Sequence, residues 1–485
     1  MRRSLTVLVT LFALVACTPV EQQVAPPKSE GTSVASSSSS AATTSSSATT
    51  TSAHAAAPAN AVEFVDDDFE GTMARAKAEK KALFVDAWAP WCHTCLSMKN
   101  YVLVDPSLKP FADRVIFAAI DTDKPSSAAF LERYKMTFWP TFFVIDPNDG
   151  DVVAYFPGAG SAAEMKAFID DALHAMDASA KPGDPLLLLA RASSARAAGD
   201  AKKALALYDE LLVKTDAKWS RRSEALAGKL NALATSGDPD GCARFGTEHI
   251  DEIKGAAAPA DFASVMLTCA GRLAKSVTQD AARKKAMARI ESLVASPPPE
   301  STVDDRADVL AMLASAKSES GDVEAARAAH EKRLVMMEKA AKEAKTPEIA
   351  ATYDYGRAIS YLALGRAEEA MRMLEARERE MPKSYDPPAR LANVLLRMGK
   401  LDAALAANGR AVTLSYGPRR LGYLRVRSDI QARLGDKPGQ IATLREEVAG
   451  HEALPKGQLI SAQLEDAKRR LAAALGETGG AAKAP

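Results

Sequence analysis

The sequence has no excess of either charge and few aromatic side chains. Lys and Arg together number 62, as do Asp and Glu, among 485 residues. A nucleic-acid-binding protein would show a basic excess, so we expect no nucleic-acid partner. Aromatic residues make up only 6% of the chain, and Ala, Leu, Glu, Lys and Arg dominate its second half. That composition favours close-packed helices there, and the length predicts two or more domains.

The sequence also lacks a hydrophobic run long enough to cross a membrane. The apolar stretch Leu5–Ala16 has twelve residues, whereas a membrane-spanning helix needs about 20. Two arginines precede it, which is the pattern of a signal peptide over residues 1–16. The stretch ends in Leu-Val-Ala before Cys17, which resembles the lipobox of bacterial lipoproteins. The resemblance implies that Cys17 is acylated and anchors the chain in the cell envelope, facing the periplasm, with Thr18 favouring the outer membrane. An ordinary secretory signal with a chance cysteine is the alternative.

Residues 17–60 have almost nothing to bury. Between residues 31 and 60, 25 of 30 are Ser, Thr or Ala. Such a segment cannot form a packed core, so we predict a disordered linker between the anchor and the first domain.

Residues 61–178 alternate strand-like and helical runs, which is the pattern of an α/β domain. Short apolar runs predict the strands Ala82–Trp88, Val115–Ile120, Thr141–Ile145 and Asp151–Phe156. Helical runs are predicted around them at Asp67–Lys81, Cys92–Tyr101, Ser126–Tyr134 and Ser161–Met176.

Cys92 and Cys95 form a Cys-x-x-Cys motif at the start of a predicted helix. Thiol–disulfide exchange needs one accessible thiolate and a second thiol that resolves the mixed disulfide. A helix N-terminus stabilises the thiolate of the first cysteine, so Cys92 is the expected nucleophile and Cys95 the resolving thiol. A zinc site would need a further Cys or His pair, and residues 61–178 offer only His93 and His174 besides the two cysteines. We therefore expect no metal, and no other bound cofactor is implied, because the two cysteines themselves carry the electrons.

The surroundings of the motif resemble the thioredoxin family. Asp86 lies six residues before Cys92, within Asp-Ala-Trp-Ala-Pro-Trp-Cys-His-Thr-Cys, and a Trp-Pro-Thr sequence at 139–141 matches the cis-proline landmark of the family. The resemblance implies that Asp86 is buried and relays protons for the resolving thiol. It also implies a substrate-binding surface formed by Trp91, His93, Thr94, Trp139 and Pro140. The segment after the motif is more like the C-terminal domain of DsbD-type periplasmic reductases, which favours the reducing direction.

Two details set this domain apart from a plain thioredoxin. The lysine that often partners the buried acid would fall near Ala118, so we expect that contact to be missing. His93 follows the nucleophile, and as a cation it would stabilise the Cys92 thiolate and make the disulfide more oxidising. As a neutral, exposed side chain it would do little. Both interpretations of His93 stay open.

From residue 185 to 478 the pattern is helical throughout, with turns centred on glycine. The turn glycines at positions 365, 399 and 435 are 34 and 36 residues apart, and a 34-residue helix–turn–helix period resembles that of tetratricopeptide repeats. Small residues such as Ala370 and Ala404, five positions after a turn glycine, let the two helices of a hairpin approach closely. We predict seven helical hairpins and a terminal helix near Leu459–Leu475, stacked as an all-α solenoid.

The repeat region contains two further cysteines, Cys242 and Cys269. Adjacent helices could bring them within the roughly 4.4–6.8 Å Cα separation that a structural disulfide requires. Two buried free thiols are the alternative, and the sequence favours neither.

Together these features predict a thioredoxin-like α/β domain followed by a tetratricopeptide-like solenoid. The predicted function is that of a membrane-anchored thiol–disulfide oxidoreductase outside the cytoplasm, whose repeats recruit its partners. Those partners are protein clients with thiols or disulfides and a redox protein that regenerates the Cys92–Cys95 pair. The alternative is a protein-binding scaffold for envelope assembly, in which the thioredoxin-like domain mainly docks.

Overall fold

The computed structural model describes residues 61–176 and 183–476, which belong to one compact unit. The predicted signal peptide, the predicted linker and Cys17 lie outside the described residues. Within the described ranges, no helix combines the length and the apolar character that crossing a membrane requires.

The first domain is built on a five-stranded mixed sheet. Its strands are β1 (Phe64–Asp66), β2 (Ala82–Trp88), β3 (Val115–Asp121), β4 (Thr141–Ile145) and β5 (Val152–Pro157). They lie in the order β1-β3-β2-β4-β5, and β2 pairs parallel with β3 and antiparallel with β4. The sequence does not predict β1, because three residues are too few to show a strand pattern.

Helices cover both faces of this sheet. They are α1 (Phe69–Glu79), α2 (His93–Ser97), α3 (Ala128–Arg133) and α4 (Ala162–Met176). Side chains of the central strand β2 alternate between two cores: Phe84 packs with Phe168 of α4, whereas Leu83 and Val85 pack with Phe130 of α3. The nearly continuous apolar sequence of β2 follows from this burial on both faces, and the predicted α/β class is confirmed.

The segment after the cysteines differs from the prediction. The helix α2 is followed by a π-helical turn over Met98–Val102, in place of the single helix predicted over Cys92–Tyr101. A 3₁₀-helix over Pro106–Asp113 comes next. Turns of the π type are rare and occur mostly near functional sites. This one carries Lys99, which contributes to the site described below.

The second domain consists of antiparallel helical hairpins. From residue 185 to 475 the described chain forms seven of them and a terminal helix, as predicted. Their helices are α5 (Pro185–Ala197) and α6 (Ala201–Lys214); α7 (Arg222–Thr235) and α8 (Pro239–His249); α9 (Ala258–Gly271) and α10 (Val277–Ala295); α11 (Val303–Glu319) and α12 (Val323–Glu343); the split α13 (Pro347–Ala351) and α14 (Asp354–Ala363) with α15 (Ala367–Glu380); α16 (Asp386–Arg397) and α17 (Leu401–Leu414); α18 (Gly417–Leu434) and α19 (Lys437–Ala453); and α20 (Ser461–Leu475). Each hairpin packs on the next, so the all-α repeat array is confirmed.

Glycine and aspartate build several of the hairpin turns. Gly237 has a φ of +84°, a left-handed conformation that favours glycine. Asp238 follows it and caps α8 by accepting a hydrogen bond from the backbone N–H of Gly241 at 2.8 Å. The same Gly-Asp pair recurs at residues 199–200, 321–322 and 435–436. This local chemistry explains why the sequence alone locates these turns.

The repeat array lies against the side of the first domain that carries the cysteines. From the second hairpin onward, the contacts come from the beginning of the first helix of each hairpin. They include Arg221–Asp171 (3.1 Å), Ala256–Glu164 (3.2 Å), Thr302–Ser97 (3.2 Å), Thr352–Asn100 (3.0 Å), Tyr385–Asp123 (3.4 Å) and Tyr416–Asp121. Just before α20, the Gln458 amide donates a hydrogen bond to the carbonyl oxygen of Thr122 at 2.9 Å.

Candidate active site

The cysteine pair lies where the chain leaves β2 and enters α2. Cys92 is the N-cap of α2, and the backbone N–H of Cys95 donates a hydrogen bond to Cys92 Sγ at 3.1 Å. The two residues form a disulfide with a Cα separation of 5.2 Å. In the reduced form, the same N–H group and the positive end of the helix would stabilise a thiolate at Cys92.

Tryptophan side chains surround this disulfide. Trp88, Trp91 and Trp139 pack with the cysteines, and the ring centroids of Trp91 and Trp139 are 5.6 Å apart. The peptide bond between Trp139 and Pro140 is cis. Thr94, also predicted to bind substrate, is half-buried in α2. The structure therefore brings Trp91 and the cis-proline loop together beside the cysteines.

Asp86 is buried in β2 and has a buried cation nearby. Only 1% of the residue is exposed, and neither carboxyl oxygen has a hydrogen-bond partner among the described residues. Burial raises the pKa of Asp86 to about 7, an effect that the ammonium group of Lys99 opposes and the carboxylate of Asp66 reinforces. Position 118 is an alanine, and Asp86 forms no hydrogen bond or ion pair with a lysine among the described residues, but a lysine at another position acts on its carboxyl group electrostatically. The cation comes from the π-turn, where Lys99 Nζ lies 3.5 Å from the ring centroid of Trp88, and not from position 118.

His93 is buried by the repeat array. Its Nδ1 lies 3.1 Å from both carboxylate oxygens of Asp304, and its side chain is only 11% exposed. Its ring stacks on Tyr355, with centroids 5.3 Å apart and planes 14° apart. The interpretation of His93 as an exposed side chain is therefore wrong. Both partners are more than two hundred residues away in the sequence, so no local pattern could reveal them.

Trp91 is held by both domains. Its Nε1–H donates a hydrogen bond to Asp123 at 2.7 Å, and its carbonyl oxygen accepts one from the guanidinium of Arg390 at 3.0 Å. The guanidinium of Arg419 lies 3.7 Å from the Trp91 ring centroid. A residue predicted to bind substrate thus contacts two arginines of the repeat array.

Three tyrosines, here called the tyrosine row, occupy equivalent positions in the last three hairpins. Tyr353, Tyr385 and Tyr416 are the N-cap residues of α14, α16 and α18. Tyr353 makes an aromatic contact with the first domain, while the hydroxyls of Tyr385 and Tyr416 donate to Asp123 and Asp121. The sequence-based predictions do not include this row. The chain has only ten tyrosines, and the spacings of 32 and 31 residues among these three are a signal that could have shown it.

The second cysteine pair lies far from this site along the chain. Cys242 of α8 and Cys269 of α9 form a disulfide with a Cα separation of 6.1 Å. Both are fully buried in an apolar cluster that includes Leu230, Met266 and Ile290. Of the two alternatives left open by the sequence, the structure contains the bonded one.

One group of described residues has the geometry to hold a metal ion. The ligand atoms of His93, Asp304 and Asp308 lie within 4.8 Å of one another. However, Asp304 is paired with His93, and the guanidinium of Arg333 lies 3.5 Å from Asp308. Both carboxyl groups thus already have side-chain partners, and we assign this group no metal.

Known proteins resemble each domain separately. Residues 64–147 match a family model described as thioredoxin-like. Protein disulfide-isomerase 1 of Dictyostelium discoideum is 24% identical over 120 residues, which are 24% of this chain and 31% of that protein. The thiol:disulfide interchange protein DsbD of Pseudoalteromonas atlantica is 32% identical over 82 residues, 16% of this chain and 14% of that protein. The chain therefore spans less than a third of the length of either relative.

Among solved structures, a tetratricopeptide repeat protein from Parabacteroides merdae is similar over 59% of this chain and 97% of its own, with 14% identity and a TM-score of 0.38. The Cut9–Hcn1 hetero-tetramer of the APC/C is similar over 65% of this chain and 57% of its own, with 13% identity and a TM-score of 0.32. Residues 64–147 are thus a thioredoxin-like domain whose Cys92–Cys95 pair supports thiol–disulfide oxidoreductase activity at the level of the family.

Proposed function

We propose that this chain is a lipid-anchored thiol–disulfide oxidoreductase of the cell envelope that reduces disulfides in protein clients. The observation that carries the proposal is the Cys92–Cys95 disulfide at the start of α2, packed against the cis-proline loop at Trp139–Pro140. The lipobox-like sequence at Cys17 supports the anchor, and Thr18 favours the outer membrane. The resemblance to DsbD-type reductases supports the reducing direction.

The exchange proceeds through a mixed disulfide. In the reduced chain, the Cys92 thiolate attacks one sulfur of the client disulfide, and the other client sulfur leaves and takes up a proton. Cys95 then loses its proton and attacks Cys92 Sγ. This step forms the Cys92–Cys95 disulfide and releases the client as a dithiol, so two electrons pass from the pair to the client. A redox partner protein then reduces the pair again.

Asp86 is suited to move the proton of Cys95. A general acid or base works best when its pKa is close to the working pH, and burial raises the pKa of Asp86 to about 7. Its carboxyl oxygens have no hydrogen-bond partner among the described residues, so they remain able to bind a proton or a water molecule. Asp86 thus acts as the proton relay for the resolving step.

The repeat array controls which clients reach the pair. Only 4% of Cys92 is exposed, and Asp304, Arg390 and Arg419 of the array contact the residues on either side of it. A client segment must enter between the cis-proline loop and the repeat helices, or the two domains must separate. In both cases the surfaces of both domains select the client.

Trapping of clients tests the proposal. In the full-length chain, Cys95→Ala leaves Cys92 able to attack but removes the thiol that resolves the mixed disulfide. We expect disulfide-linked client adducts on non-reducing gels of envelope fractions, and their disappearance when Cys92→Ser is added. A chain that yields no adduct, or adducts that persist without Cys92, would show that this pair does not act on clients.

The shielding of Cys92 favours one second candidate, a protein-binding scaffold for envelope assembly. A scaffold would retain its partners without any covalent link. The same trapping experiment distinguishes the two functions, since a scaffold co-purifies the same partners with the wild-type chain and with Cys92→Ser/Cys95→Ala.

A further inference from the structure

The interface between the two domains places a buried histidine–carboxyl pair next to the attacking cysteine. His93 follows Cys92 directly and is the first residue of α2. Asp304 lies in the first turn of α11, and both of its carboxylate oxygens are 3.1 Å from His93 Nδ1. The two side chains are only 11% and 4% exposed. Water and salt therefore screen their interaction weakly.

The charges around His93 favour its imidazolium form. A buried histidine without a partner loses its proton, whereas a carboxylate at hydrogen-bond distance favours the protonated ring. Asp304 supplies one carboxylate. Asp308, one turn further along α11, also interacts electrostatically with His93, although burial raises the pKa of Asp308. The guanidinium of Arg333 is paired with Asp308 at 3.5 Å and balances the charge of that carboxylate. The stacked ring of Tyr355 fixes the orientation of the imidazole.

A cation at this position stabilises the thiolate of Cys92 and leaves the disulfide unaffected, because only the thiolate carries a charge. We propose that Asp304 is a positioning residue that holds His93 as an imidazolium beside Cys92, so that the repeat array raises the reduction potential of the Cys92–Cys95 pair. The biological use of this effect rests on the proposed function. A raised potential restricts reduction to clients whose disulfides have a higher reduction potential than the Cys92–Cys95 pair.

The equilibrium of the full-length chain with glutathione tests the proposal. Two glutathione thiols are oxidised to one glutathione disulfide as the Cys92–Cys95 bond is reduced, so atoms and electrons balance. Asp304→Asn keeps the shape of the side chain and removes its charge. We expect the equilibrium constant for reduction of the pair to fall about tenfold, which is about 30 mV for this two-electron couple. The pH at which the thiolate absorbance of Cys92 develops should rise by about one unit.

Asp305→Asn is the matched control, one residue further along the same helix. Asp305 accepts a hydrogen bond from the backbone N–H of Thr302 at 2.8 Å and caps its own helix. The substitution is the same and removes the same charge from the same turn of α11. Asp305→Asn should leave the reduction potential of the Cys92–Cys95 pair close to the wild-type value. An equal shift in both variants would show a general effect of charge or of helix stability and would overturn the proposal.

The sign of the shift separates an action through His93 from a direct action of the Asp304 charge on sulfur. Removal of a carboxylate that acted directly would raise the potential, whereas loss of the imidazolium lowers it. In a His93→Gln background, Asp304→Asn should have no effect, because the residue through which it acts is gone. A raised or unchanged potential in Asp304→Asn contradicts the proposal. So does an effect of Asp304→Asn on the potential that is as large with His93→Gln as without it.

These measurements are independent of client trapping. The potential of the pair is defined for any chain that forms the disulfide, whether or not a client exists. A chain that yields no client adduct but shows the predicted shift would refute the proposed function alone. Adducts with an unchanged potential would refute the role of Asp304 alone.

Discussion

Cys92–Cys95 and Cys242–Cys269 are both buried disulfides, but different parts of the molecule bury them. Cys92–Cys95 joins residues three positions apart at the start of a helix, among tryptophans and beside the paired side chains of His93 and Asp304. Cys242–Cys269 joins two helices across 27 positions and lies within an apolar cluster of its own hairpins. The first pair is covered by another domain through polar contacts, and the second by the core that it helps to hold together.

What covers each pair determines what it can do. We expect the polar contacts over Cys92 to part while both domains stay folded, whereas exposure of Cys242 requires its hairpins to open. Local openings of the first kind cost much less free energy than unfolding of a core. The helix start, the neighbouring histidine and the buried acid further adapt the first pair to exchange. We therefore assign redox chemistry to Cys92–Cys95 and stabilisation to Cys242–Cys269.

Removal of each disulfide in turn should change a different property of the chain, activity for Cys92–Cys95 and stability for Cys242–Cys269. Cys92→Ser removes the attacking sulfur, so the rate of insulin reduction by the full-length chain should fall to the background rate without protein. Cys242→Ala/Cys269→Ala should keep the wild-type rate at a temperature where circular dichroism shows both chains folded. Loss of activity in both variants would contradict the division of roles.

The second pair should matter more for stability. In the chain-entropy model, a disulfide across 27 positions stabilises the fold by roughly 3–4 kcal/mol, and one across three positions by about half of that. We therefore expect Cys242→Ala/Cys269→Ala to lose more free energy of unfolding in urea than Cys92→Ala/Cys95→Ala does. Equal losses would mean that the repeat disulfide does not hold its hairpins together.

The sequence predicts most of the fold and the cysteine chemistry because their signals are local. The strands Ala82–Trp88 and Thr141–Ile145 have the same bounds in the prediction and in the structure. Each is a short apolar run beside a motif: the cysteine motif follows the first, and the Trp-Pro-Thr sequence opens the second. The hairpin turns follow from glycine, whose left-handed conformation other residues rarely adopt. Spacing alone could not decide whether Cys242 and Cys269 are bonded, since it does not determine pairing.

The contacts that complete the site are not local, and the sequence alone does not predict them. Asp304 is 211 positions from His93, and charged residues on a helix surface carry no mark of the domain that they meet. Lys99 was not expected near Asp86, because it lies on a π-turn that the helical pattern does not reveal. The tyrosine row shows that scarce residues at a repeated position can reveal such an interface.

Displacement of the repeat array should expose the first pair and not the second. Gly417 begins α18 with a φ of +53°, and a Cβ there would lie 1.8 Å from the carbonyl oxygen of Asp123. The methyl group of Gly417→Ala must push the two domains apart at this point. We expect the rate at which dithiothreitol reduces Cys92–Cys95 to rise about tenfold, measured by alkylation and mass spectrometry. The rate for Cys242–Cys269 should stay unchanged.

Gly422→Ala is the matched control for this displacement. Gly422 lies on the same helix, but a Cβ there would meet open space. Its reduction rates should equal those of the wild-type chain. If Gly417→Ala also reduces at the wild-type rate, the contacts of α18 do not limit access to Cys92, and the client must enter along the cis-proline loop.

Asp86→Asn should change how the stability of the chain depends on pH. Burial raises the pKa of Asp86 from 3.8 to about 7. Between these values the folded chain keeps a proton that the unfolded chain has lost, so the free energy of unfolding falls as the pH rises from about 4 to about 7. Asparagine cannot ionise. The variant should therefore be more stable than the wild-type chain at pH 8, and about equally stable at pH 4.

The same variant should exchange more slowly, because Cys95 loses its proton acceptor. The pH profile of insulin reduction should lose its inflection near pH 7, whereas Cys242→Ala/Cys269→Ala should keep it, since that change leaves Asp86 in place. A chain that is more stable at pH 8 and also slower would show that the buried acid serves the exchange at the expense of the fold. A chain that is less stable at pH 8 would show the opposite, that Asp86 is needed to balance the buried charge of Lys99.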